Sequence, residues 1–164
     1  MLTQVARAQA CWGGVHSLID RWLGQRLSLL ESFDALQSLG DSDLEHIDRV
    51  ALDRFGEELT DYVSLGHFEL YPKLYEECQL FGDQDGLDAG HQLLANLDPS
   101  TQLVLDFNDA YANEAAFNAN QRQLPGWLAR LERGLQERFE LEDALIARLH
   151  AVHTQTPQDA SSTP

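Results

Sequence analysis

Apolar residues recur at three- and four-residue intervals through almost the whole chain, and the alternating β-branched pattern of a strand is nearly absent. That periodicity confines the chain to packed helices. Thr3 to Trp12 reads as a short first helix, interrupted by Gly13 and Gly14. Val15 to Gln37 reads as a long second helix, with Val15, Leu18, Ile19, Trp22, Leu29, Leu30, Phe33 and Leu36 on one side. After the cap-rich loop SLGDSD, a third helix is expected from about Leu44 or Ile47 to about Phe81. Pro72 falls inside it and predicts a kink or break near Glu69 to Tyr71. A turn at GDQDG (82–86), a short helix from Leu87 to Leu97, a restart at Asp98-Pro99-Ser100 and a helix from Thr101 to Tyr111 follow. The segment 113–123 is polar and weakly patterned, and Pro125 opens a last long helix to about His153. The fold class expected is all-α, a four-helix-type bundle with additional short helices.

The 164 residues suffice for one domain with a real core, placed at residues 1–153. The Pro/Ser/Thr-rich tail, 154–164, is expected to be disordered. Twenty-seven acidic against eleven basic residues give a formal net charge of −16. Such a balance disfavours direct binding to nucleic acid, which needs basic residues to displace counterions, and it disfavours anionic membranes. A basic protein partner suits it better, because complementary fields speed encounter and set orientation. No apolar run approaches the roughly 20 residues of a membrane span, and the N-terminus lacks the apolar core of a secretory signal. A cytoplasmic location is expected. Cys11 and Cys78 are far apart and fit no CxxC spacing, so two reduced thiols are expected.

Three polar residues interrupt the apolar stripes. Arg26 projects from the middle of the arc Val15, Trp22, Leu29 and Phe33. Glu142 lies between Phe139 and Ile146 on a stripe that also holds Trp127, Leu128, Leu131, Leu135, Leu145 and Leu149. His67 sits at the shoulder of the third helix, whose core side reads as Leu52, Phe55, Leu59, Val63, Leu70 and Leu74. A lone charge in a core costs several kcal/mol unless paired, so Arg26 and Glu142 are expected to meet each other or another polar group. His67, Tyr62 and Tyr71 are candidates to join them. Two interpretations stand side by side: an ion pair that fixes helix register, and a small internal pocket for a ligand or metal. No Glu-x-x-His pairs for a di-iron centre are present, and His150 and His153 mostly fall off the stripes near a chain end. No phosphate loop, nucleophile elbow or Cys/His catalytic spacing occurs. No catalytic residue, metal or cofactor is therefore assigned.

LTDYVSLGHFELYP (59–72) poses a separate question, since it carries apolar residues on two faces. With Leu59 turned to the core, Asp61, Leu65, Phe68 and Pro72 project roughly opposite, with Arg54 on the same side. Packing of this helix on both sides would account for the pattern. A docking surface would too, with Leu65 and Phe68 as anchors and Asp61 to orient a basic partner residue. Self-pairing of this patch would make a weak homodimer; otherwise the chain is monomeric.

Three blocks, LIDRWLGQR (18–26), FGEELTDYVSLGHFELY (55–71) and ERFELEDALI (137–146), resemble the Rsd/AlgQ family of bacterial regulators in order and spacing. The N-terminal CWGGVHSLIDRWL is most similar to the AlgQ branch. The resemblance implies an all-helical anti-sigma factor, without enzymatic activity, that binds region 4 of the primary sigma factor. Region 4 is a basic helix-turn-helix that reads the −35 promoter element and docks on core RNA polymerase. Sequestering it would favour alternative sigma factors. Asp61 matches the acid that the family places against an arginine of region 4; Leu65 and Phe68 join it from helix geometry alone. Arg26, His67 and Glu142 match motif positions. Pro72, Gly56 and Leu65 depart from the family pattern.

Overall fold

A computed structural model describes residues 2–40, 49–151 and 153, with side chains on the first helix from Gly13 to Ser38. The expected helix start at Leu44 or Ile47 and the tail at 154–164 lie outside the described residues. Those residues form helices α1 (Leu2–Gly40), α2 (Arg49–Leu65), α3 (Tyr71–Leu80), α4 (Gln84–Ala110), α5 (Glu114–Asn120) and α6 (Leu124–Ile146), with no strand among them. A π-helical turn, Gly66–Leu70, joins α2 to α3, and a second, Ala147–Ala151, continues α6. The result is an all-α bundle of four long rods: α1, α2 with α3, α4, and α6. The rod α2–α3 packs on α1 and α4, and α4 packs on α6.

Three expected interruptions are bridged. Gly13 and Gly14 do not split α1, since both are exposed and a bundle supplies the stability that a glycine pair removes. Pro99 does not restart a helix but lies inside α4. The carbonyl it leaves without an N–H, that of Ala95, belongs to an exposed position where water can serve it, and the hydroxyls of Ser100 and Thr101 donate back to the Leu97 carbonyl at 2.9 and 3.2 Å. The segment 113–123 is helical, started by Asn113, whose side chain accepts from the Ala116 N–H at 2.8 Å.

Pro72 does perturb its rod, at the place expected. It has no N–H for the Phe68 carbonyl, and the chain widens by one residue just before it: the Tyr71 N–H donates to the Gly66 carbonyl, five positions back. This extra residue lets Gly66, Leu70 and Tyr71 all face inward. The core runs through Val15, Trp22, Leu29, Phe33, Phe55, Leu59, Tyr62, Leu74, Leu97, Phe107, Leu131 and Leu145. Leu30, assigned to the inner side of α1 from sequence, is exposed.

Candidate functional site

Glu142 lies near the C-terminal end of α6 and is 1% exposed. Its two oxygens accept from the hydroxyls of Tyr62, at 2.8 Å, and Tyr71. Burial pushes its carboxyl upward, while the charge of Arg138 and the two tyrosine donors pull it back toward the carboxylate. Burial, then the charge of Glu142, raises both tyrosines far above the ordinary phenol range, so they stay protonated as donors. Arg26 reaches this group through a relay. Its Nε donates to the Tyr62 hydroxyl at 3.0 Å, its Nη1 bonds Asp143 at 2.9 Å, and its Nη2 stands 3.9 Å from Glu142. Of the two arrangements expected, a direct pair or another polar group between them, the structure shows the second, with the Tyr62 hydroxyl bridging Arg26 and Glu142. The guanidinium is held between the rings of Trp22 and Phe139, at 4.4 and 4.5 Å.

His67 joins the network through Arg138, one turn before Glu142 and 0% exposed. Arg138 Nε lies 3.5 Å from Glu142, Nη1 donates to Ser100 and Thr101, and Nη2 donates to His67 Nε2 at 3.1 Å. Because a guanidinium only donates, His67 Nε2 must accept, which fixes the neutral ring with its proton on Nδ1. Burial first, and Arg138 second, lower the His67 pKa accordingly. Arg26, His67 and Glu142 therefore belong to one network, as the stripes implied, with Tyr62, Tyr71 and Arg138 as its connections. Arg138 was legible and missed: Leu131, Leu135, Arg138, Glu142, Leu145 and Leu149 follow one another at alternating intervals of four and three, all buried.

The outer face is differently made. Asp61 is exposed, and its carboxylate makes no hydrogen bond or ion pair with the described residues. Phe68 is 79% exposed, the most open large apolar side chain described. Both line a groove of about 360 Å³ between α1 and the α2–α3 rod, together with Arg21, Gln25, Ser64 and Glu69. Arg21 and Glu69 form an ion pair across it. On its other side Asp61 borders an acidic cleft of about 450 Å³ that includes Asp53, Glu57 and Asn108. Leu65 needs correction: it is 8% exposed, and it floors the groove instead of projecting from it. The buried arc of α2 passes through Phe55, Leu59 and Tyr62 toward Gly66, with Val63 half-buried against its edge. This rotation, set by Tyr62 reaching Glu142, carries Leu65 inward.

A further group was misread from sequence. His150 and His153 are each 5% exposed and lie against Glu77, which is 0% exposed. Counted at about 100° per residue, both histidines fall within about 40° of Ile146, on the apolar stripe, so their burial was legible and only their partner Glu77 was not.

The described residues thus form an all-helical bundle with a buried ion network inside and an exposed acid beside an exposed phenylalanine outside. Residues 1–150 match the family described as regulator of RNA polymerase sigma(70) subunit, Rsd/AlgQ, and the chain belongs to that family. It is 34% identical over 152 residues to the regulator of sigma D of Pectobacterium atrosepticum, covering 92% of this chain and 99% of that one. It is 34% identical over 149 residues to that of Enterobacter sp. strain 638, covering 90% and 88%. Against that of Salmonella paratyphi A the identity is 31% over 148 residues, covering 89% and 90%. No solved structure matches it.

Proposed function

We propose that this protein is an anti-sigma factor that binds region 4 of the primary sigma factor through the face built around Asp61 and Phe68. It acts by binding alone, with no catalytic step. Region 4 is a basic helix-turn-helix that must contact both the −35 element and core polymerase. Covering it blocks both contacts and leaves polymerase to alternative sigma factors. Family membership supports sigma regulation. The observation that carries the docking face is the pairing, on one groove of a chain of net charge −16, of an exposed acid that has no partner among the described residues with an aromatic ring that is 79% exposed. A carboxylate placed so can take an arginine bidentately, and the ring supplies the apolar anchor beside it. Leu65 contributes the apolar floor on which both rest.

The blocking step is tested with labelled −35 DNA bound to the isolated cognate region 4 and followed by fluorescence anisotropy. Added protein should release the DNA stoichiometrically, and the Phe68→Ala variant should need about tenfold more protein, a loss on the order of 1.4 kcal/mol. Release should weaken as salt rises, because opposite fields drive the encounter. A ternary complex that keeps the DNA bound would contradict the blocking mechanism. Equal potency of Phe68→Ala would move the docking surface elsewhere.

A further inference from the structure

At the end of the bundle far from Asp61 in sequence, the close of α3, the turn after it and the segment following α6 converge on one polar cluster. Glu77 and Cys78 come from the last turn of α3, and both are fully buried. Gly82, with φ of 67°, reverses the chain and returns Asp83 to the same place. Arg148, His150 and His153 arrive from the C-terminal side. Asp83 caps α4, accepting from the Gly86 N–H at 2.9 Å, and is clamped by Arg148 at 2.7 and 3.2 Å. That clamp above all holds its carboxyl well below the usual carboxylate range.

His153 occupies a place that a neutral imidazole does not satisfy. Its Nδ1 lies 3.2 Å from Glu77 Oε1, and its Nε2 lies 3.1 Å from Asp83 Oδ2. A neutral ring has one N–H and one lone pair. With the proton on Nδ1 facing Glu77, the Nε2 lone pair faces a carboxylate oxygen, and the two repel unless a positive charge stands at that point. A second proton supplies one; a metal ion supplies it better, because Cys78 Sγ, Asp83 and His153 each offer a donor atom within 4.8 Å of the others. The Glu77–His153 contact is the carboxylate–histidine pairing that orients an imidazole toward a metal and raises its basicity. Phe81 stacks on the His153 ring at 4.5 Å and closes one side with an apolar wall.

We propose that Cys78, Asp83 and His153 bind a borderline-soft divalent metal ion, with zinc the best match to one sulfur, one nitrogen and one oxygen donor, and that Glu77 positions His153 for it. Solvent completes the tetrahedron. Binding exchanges protons for the ion: the Cys78 S–H bond breaks as the sulfur–metal bond forms, and its proton leaves to solvent. The ion fastens the C-terminal segment to the α3–α4 turn.

The test uses the full chain without an affinity tag, reduced and stripped by chelator, titrated with Co²⁺ and then with Zn²⁺. One equivalent of Co²⁺ should give the near-ultraviolet thiolate-to-cobalt band together with visible bands of a tetrahedral ion, and Zn²⁺ should displace it. The band should vanish in Cys78→Ser and persist in Cys11→Ser. Glu77→Gln should weaken binding by about 10-fold to 100-fold, the usual loss when the partner of a metal-bound histidine is removed. His153→Gln, which keeps the thiol, should also lose tight binding, so the test stands even if Cys78→Ser fails to fold. Absence of a thiolate band in the wild type overturns the proposal, and so does a band retained in Cys78→Ser.

Discussion

Two carboxylates, Glu142 on α6 and Asp61 on α2, meet opposite fates. Glu142 is enclosed by two tyrosine hydroxyls and the charges of Arg138 and Arg26. Asp61 has none of these, and its neighbour Phe68 lies open to solvent. Tyr62 connects the two, following Asp61 in the sequence and facing the other way to donate to Glu142. A charge whose partners are all supplied from within can hold helices in register, and it leaves nothing for an outside molecule to satisfy. A charge left unpaired on a surface contributes little to the fold and is available to a partner. On the proposed function, the inside is scaffold and the outside is recognition.

Breaking the inside should have the largest effect. Glu142→Ala leaves Arg138, with no exposure, beside Arg26 and without its counter-charge. The expected loss is about 3–5 kcal/mol in urea unfolding, the usual consequence of stranding one member of a buried pair. Tyr62→Phe keeps the ring stacked on Trp22 but removes the hydroxyl between Arg26 and Glu142. A loss of about 1.5–3 kcal/mol is expected, as for hydrogen bonds to charged groups.

A smaller effect should follow pH. His67 is held neutral, its pKa below the ordinary value because of burial and Arg138. The unfolded chain therefore binds a proton that the folded chain resists. Stability is full above the unfolded histidine value of about 6.5 and falls as pH drops below it toward the folded value. His67→Gln should flatten this part of a stability–pH curve measured by thermal unfolding, and an unchanged slope would place the pH response elsewhere. On the outside, Asp61→Ala should change unfolding free energy by less than about 0.5 kcal/mol, as expected for an exposed side chain without partners.

Much of this division is legible in the amino-acid order. Glu142 sits between Phe139 and Ile146 at intervals of three and four, and Arg26 sits in the arc of Trp22 and Leu29, so both had to be buried or bridged. Arg138 shared the same spacing but reads as one more exposed charge, because nothing local reveals that Ser100, Thr101 and His67 wait across the bundle. The fold class follows from periodicity, while individual breaks do not: Pro99 is tolerated inside α4 because the carbonyl it leaves unpaired, that of Ala95, lies at an exposed position. His150 and His153 share the face of Ile146 at spacings of four and seven, so their burial is legible, while their partner Glu77, 73 and 76 residues away in sequence, is not. Leu65 was misplaced for a different reason, the rotation of α2 that brings Tyr62 inward, which depends on a contact 80 residues away in sequence.

The most direct measurement pairs two readouts on one variant. Asp61→Ala is compared with the wild type for unfolding free energy in urea and for affinity to region 4 of the cognate primary sigma factor by calorimetry. The account predicts unchanged unfolding and an affinity lowered at least about tenfold, roughly 1.5 kcal/mol or more. Unchanged affinity with region 4 still bound would contradict it, since the unpaired acid would then have no part in recognition.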